Sequence, residues 1–71
     1  MMEIVLNGQP REVSIEPQAA TVDALIRALG MKADRIAVER NGEIVRRDMW
    51  ATTPVESGDR FEVVHFVGGG L

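Results

Sequence analysis

The sequence predicts an α+β domain, a mixed sheet of four to five strands with one helix packed on one face. Three observations carry that prediction. Asn7-Gly8 and Asn41-Gly42 each sit between short apolar runs, and Asn-Gly supplies the positive φ values of a tight hairpin. Val22, Leu25, Ile26 and Leu29 fall at i, i+3, i+4 and i+7, one stripe of an amphipathic helix. Phe61 to Val67 is a hydrophobic, β-branched run that passes without a turn signal into Gly68-Gly69-Gly70 and Leu71.

The first strand is read at Met2–Leu6, with Ile4 and Leu6 on one side. Asn7-Gly8-Gln9-Pro10 is the turn. Arg11–Glu16 alternates cleanly, with Val13 and Ile15 facing in and the charges facing out. Pro17 ends that strand. Thr21 is a good N-cap, Asp23 complements the positive end of the helix, and Gly30 stands where a C′ residue belongs. The helix is therefore expected over Val22–Leu29. A short connection, Met31 to Asp34, leads to a strand at Arg35–Arg40 with Ile36 and Val38 inward. Asn41-Gly42 turns it into a short strand at Glu43–Arg46. The segment from Asp48 to Pro54 is expected to be irregular, with Met49 and Trp50 closing one end of the core. Ser57-Gly58-Asp59 is a turn, and Arg60–Val67 is the last strand.

With 71 residues and no cysteine, the chain has room for one small domain and excludes a disulfide framework, a thiolate metal site and a nucleophilic thiol. Lack of cysteine fits a reducing compartment. No apolar run approaches the ~18 residues of a membrane span, and no secretory pattern opens the chain, so a cytoplasmic protein with no membrane contact is expected. Net charge is −3 with acids and bases interspersed, which argues against a nucleic-acid footprint and is compatible with docking onto a basic partner.

The most economical closure sets the first and last strands side by side and parallel at the centre of the sheet, joined by a right-handed crossover through the helix. That is the β-grasp, or ubiquitin-like, architecture. Residues 1–67 are expected to form the single domain and residues 68–71 a flexible tail. Glycines pack no side chain, so such a tail suits insertion of a chain end into another protein's active site.

Taken in order, Leu6-Asn7-Gly8, Thr21-Val22 with Leu25 and Leu29, Ala37 through Val45, Arg47 and Trp50, Gly58-Asp59, and Val64-His65-Phe66-Val67 before the glycines span nearly the whole chain. In this combination and spacing the sequence resembles the ThiS family, the small sulfur carriers of thiamin thiazole biosynthesis. The resemblance implies a co-substrate rather than an enzyme, with no bound cofactor. The C-terminal glycine carboxylate would be adenylated with ATP by a ThiF-type activating enzyme. Sulfur from a cysteine-desulfurase persulfide would then give a thiocarboxylate, which a ThiG-type thiazole synthase consumes. Gly70 would carry the acyl chemistry, with Gly68 and Gly69 providing reach. The family pattern ends on glycine, whereas Leu71 follows Gly70 here. A residue left by cloning is favoured over proteolytic removal, and a divergent terminus is the third explanation.

Val5, Val64 and Phe66 fall on the sheet face opposite Ile4, Leu6, Phe61 and Val63. With His65 and Val67 they are expected to form a docking surface beside the root of the tail. His65 has no cysteine or carboxylate pair at ligand spacing, and no metal site is expected. Asn7 and Asn41 are read as turn residues without chemistry. The free protein is expected to be a monomer. Other readings of the same residues are a small-subunit-like carrier of molybdopterin synthase, a ubiquitin-like modifier of lysines, and a non-covalent β-grasp interaction module.

Overall fold

The structure is a computed structural model, and it describes residues 1–66. Strands β1 (Met2–Leu6), β2 (Gln9–Val13), β3 (Ile36–Arg40), β4 (Glu43–Val45) and β5 (Arg60–His65) form one sheet in the order β2-β1-β5-β3-β4. β1 and β5 run parallel at its centre, and every other neighbouring pair is antiparallel. Helix α1 (Val22–Ala28) packs Val22, Leu25 and Ile26 against Ile4, Leu6, Ile36, Val38, Phe61 and Val63 of the inner sheet face. This is the expected β-grasp. The boundary expected after Val67, and the tail Gly68 to Leu71, lie outside the described residues.

Both Asn-Gly pairs make the expected two-residue turns, with φ of 50° and 82° at Asn7-Gly8 and 52° and 89° at Asn41-Gly42. Positive φ at both positions matches the twist of the flanking strands. The first hairpin closes tighter than expected: Gln9 and Pro10 are the start of β2, opposite Leu6 and Val5. Pro10 is tolerated because β2 is an edge strand, where a residue can point a missing N–H away from the sheet. β2 also ends at Val13, earlier than expected. Ile15 still turns into the core, carried there by an extended segment before the 3-10 turn Pro17–Ala19.

Helix α1 starts as expected at Thr21, whose side-chain oxygen accepts a hydrogen bond from the Ala24 N–H at 3.2 Å. The loop at residues 50–55 supplies the rest of the cap. The Val22 and Asp23 N–H groups donate to the Thr53 and Trp50 carbonyls at 2.9 and 3.1 Å. Helix starts leave such groups without intrahelical partners, so the loop and the helix complete each other. Trp50 itself is buried, donates from Nε1 to the Val45 carbonyl at 3.0 Å, and lies under the Arg47 guanidinium. Met49 does not join it. Its side chain is exposed, because the 3-10 turn Arg47–Met49 directs Trp50, and not its neighbour, inward.

The turn before β5 holds the one buried charged residue among the described residues, Asp59. Its Oδ2 accepts from Arg40 Nε at 2.8 Å and from the Glu56 N–H at 2.8 Å, and its Oδ1 accepts from Asn41 Nδ2 at 3.2 Å. Asn41 Oδ1 accepts in turn from the Arg60 N–H at 2.9 Å. The β3–β4 turn, the end of β3 and the start of β5 are thus tied through one carboxylate. Burial pushes the Asp59 carboxyl up, but the Glu56 N–H and the Arg40 and Asn41 donors outweigh it and hold the group below the usual aspartate range.

Asp59→Ala is expected to cost about 3 kcal/mol, because it leaves Arg40 and two other donors without their acceptor. Chemical denaturation of the two proteins measures this. A depressed folded-state pKa means the native protein binds fewer protons than the unfolded chain. The Asp59 contribution is therefore complete above its unfolded pKa of about 3.9 and is lost as pH falls through the lower folded value. Melting temperature followed down through that range should fall less steeply in Asp59→Ala than in the parent.

Candidate functional site

The candidate site is the carboxyl end of β5, the strand whose continuation is Val67 and the glycines. Three sets of interactions fix it. On one side β3 pairs with it from Phe61 to His65, Arg40 opposite Phe61 and Ile36 opposite His65. The Phe66 N–H adds one more bond, to the Arg35 carbonyl at 2.8 Å. On the other side β1 pairs only over Val5–Arg60 and Leu6–Phe61 before it turns away at Asn7. The Asn7 side chain continues from there: Oδ1 accepts from the Val63 N–H at 2.8 Å and Nδ2 donates to the Val63 carbonyl at 3.3 Å.

Alternation along β5 sends Phe61 and Val63 into the core and Glu62 and Val64 to the outer sheet face. Helix α1 lies on the inner face alone, so the outer face is bare. Val64 and Phe66 are 59% and 55% exposed, large values for apolar side chains in so small a domain. Ala37, opposite Val64 on β3, extends this apolar surface. Ile44 is 72% exposed on the same face, beyond Glu39, a position that alternation in so short a strand does not mark.

Val5 does not join the Val64–Phe66 surface. It is half-buried and registers with Arg60, four residues before Val64, which is about 13 Å along the strand. The parallel register separates the two, and register between strands so far apart in sequence cannot be read from alternation. His65 shares the inward parity of Phe61 and Val63 but is exposed, because it lies past the end of the helix cover. It borders an open hollow with Met31, Lys32, Asp34, Arg35 and Phe66, so cations and a carboxylate stand together beside the end of β5. Val67, Gly68, Gly69 and Gly70 lie outside the described residues.

Two residues that the sequence marks only as turn formers do more. Asn41 anchors the start of β5 through Arg60 and Asp59, and Asn7 anchors its middle through Val63. The partners are 19, 18 and 56 residues away, respectively, so no local pattern could have announced them. Among the described residues no helix is long and apolar enough to cross a membrane, and no group of three or more His, Cys, Asp or Glu side chains stands close enough to hold a metal ion.

Comparison with known proteins places this geometry. The model of the ThiS family matches residues 4–70. The sulfur carrier protein ThiS of Bacillus subtilis is 32% identical over 65 residues, which are 92% of this chain and 96% of that protein. A thiazole synthase of Paramagnetospirillum magneticum is 44% identical over 69 residues, 97% of this chain but only 20% of the enzyme, so the chain spans about one fifth of that relative. In structure, the thiamine biosynthesis protein ThiS of Geobacter metallireducens superposes with a TM-score of 0.81 at 36% identity, covering 97% of this chain and 100% of that one. A match over 67 of the 71 residues, from the first strand through the glycines, together with that shared fold, shows that the chain belongs to the ThiS family.

Proposed function

We propose that this chain is a sulfur carrier of thiamin biosynthesis, in which the Gly70 carboxylate is activated as an acyl adenylate and becomes a thiocarboxylate. The observation that carries the reading is the reach of the family match, which ends at Gly70 and so takes in all three glycines. A ThiF-type enzyme would join the carboxylate to the α-phosphate of ATP, releasing pyrophosphate. A carboxylate is a poor electrophile, and the adenylate gives its carbon a good leaving group. A persulfide from a cysteine desulfurase would attack that carbon, AMP would leave, and a thiol reductant would cleave the remaining S–S bond. The sulfur then stays covalently held until a ThiG-type thiazole synthase takes it into the ring. Sequence similarity to a thiazole synthase supports that partner.

In this reading the chain is a co-substrate and its partners supply the catalysis. Gly68 and Gly69 give a backbone thin enough to thread a narrow channel, and Leu71 is absent from the acylated form. Val64 and Phe66, with His65 and Val67 next to them, would seat against the activating enzyme beside the tail.

Incubating the activating enzyme and ATP with three forms of the protein tests the reading. The form ending at Gly70 should release pyrophosphate and, with a sulfide donor, gain the mass of an oxygen-to-sulfur exchange. The 71-residue form should react only after losing Leu71. The form lacking Gly70 and Leu71 should fold and not react. Failure of the form ending at Gly70 to gain sulfur would remove the carrier assignment. Phe66→Asp should weaken binding to the activating enzyme about tenfold or more while the melting temperature stays near that of the parent, since Phe66 is over half exposed. Titration calorimetry measures the affinity, and an unchanged value would remove Phe66 from the docking surface.

A further inference from the structure

We infer that Asn7 is a positioning residue for the acyl-carrying terminus, its side-chain amide acting as the next peptide of β1 to hold the end of β5 in line. The inference rests on the carrier reading above. In a parallel ladder the bonds are slanted and evenly spaced along the pair. Here the Val5 N–H donates to the Asp59 carbonyl at 2.9 Å and the Asn7 N–H donates to the Phe61 carbonyl at 2.8 Å. The next rung would need a carbonyl for the Val63 N–H and an N–H for the Val63 carbonyl. β1 cannot supply them, because the chain reverses at Asn7-Gly8. The Asn7 side chain supplies both, at 2.8 and 3.3 Å.

Few residues can do this. The position needs a positive φ, which asparagine and aspartate tolerate better than most residues with a Cβ. It also needs one acceptor and one donor in a plane, as in a peptide. Glycine keeps the turn and loses the amide. Aspartate keeps the turn and the acceptor but sets a second oxygen against the Val63 carbonyl.

Past Phe61, β5 has main-chain partners on the β3 side alone, so the Asn7 rung is what braces it from the β1 side. Val63 lies three residues before Phe66 and seven before Gly70. With Val63 held from both sides, the strand end is already ordered when the partner meets it. Without the amide, ordering is deferred to docking and weakens it, while chemistry in the docked complex proceeds as before.

The test compares the parent ending at Gly70 with Asn7→Gly, Asn7→Asp and Val13→Ala, a core variant on β2, two strands from β5, all ending at Gly70. Each is measured well below its melting temperature. One readout is amide hydrogen exchange at Val63; the other is KM and kcat for ATP-dependent pyrophosphate release with the activating enzyme. Asn7→Gly should exchange the Val63 amide about tenfold faster and raise KM about tenfold at unchanged kcat, the scale of ordering one backbone residue. Asn7→Asp should fall between it and the parent. Val13→Ala should leave KM unmoved. Parental KM in Asn7→Gly, or an equal rise in Val13→Ala, overturns the inference and leaves the carrier reading standing. No pyrophosphate release by the parent overturns both.

Discussion

Everything in this domain depends on β5 reaching the middle of the sheet. It is the last strand in sequence, yet both halves of the sheet meet through it: β1 and β2 on one side, β3 and β4 on the other. Phe61, fully buried, is its contribution to the core, and a buried phenylalanine removes more apolar surface than any aliphatic neighbour. The strand is short, six residues, and its parallel partner matches only two of them. Polar side chains make up the difference. Asp59 and Asn41 secure its start and Asn7 its middle, so a strand with limited backbone pairing is nevertheless held along its length.

That arrangement separates two demands that would conflict in one element. The inner half of β5 serves the core, with Phe61 and Val63 under the helix. The outer half, Val64 and Phe66, is left bare by the same alternation, because a single helix covers one face only. An exposed apolar surface therefore comes from period-two geometry without any insertion or added loop, and it lies at the end of the last strand.

Much of this was legible in the residues. Both Asn-Gly turns, the Thr21 cap, the helix stripe and the parallel central pair follow from local chemistry and from the shortest way to close the sheet. The errors have physical sources. Pro10 reads as a turn residue unless one knows that its strand lies at an edge. β2 ends at Val13 because its partner there is Met2, the first residue of β1, and the placing of Met49 depends on a 3-10 turn, whose short run leaves no periodicity to detect. Alternation puts Val5 on the same face as Val64 but carries no parallel register, which sets the two apart. Asp59, Asn41 and Asn7 looked like ordinary turn formers, since a side chain bonding to a distant backbone leaves no trace in its own neighbourhood. The glycines and Val67 lie outside the described residues, and the chemistry assigned to them comes from the family match.

The capping of α1 by the carbonyls of Trp50 and Thr53, together with the central place of β5, also bears on how the chain acquires its structure. The start of the helix is completed by residues about thirty positions downstream, and the sheet by residues later still. Each hairpin can form alone, but two-stranded units are marginal in water. During synthesis the nascent chain therefore carries two hairpins with facing open edges, β1 and β3, and a gap of one strand between them. Such edges recruit other strands, so the interval before Phe61–His65 emerge is when this protein is most exposed to aggregation. The same gap makes the molecule a natural candidate for division after Val55, with the missing strand supplied in trans as a peptide.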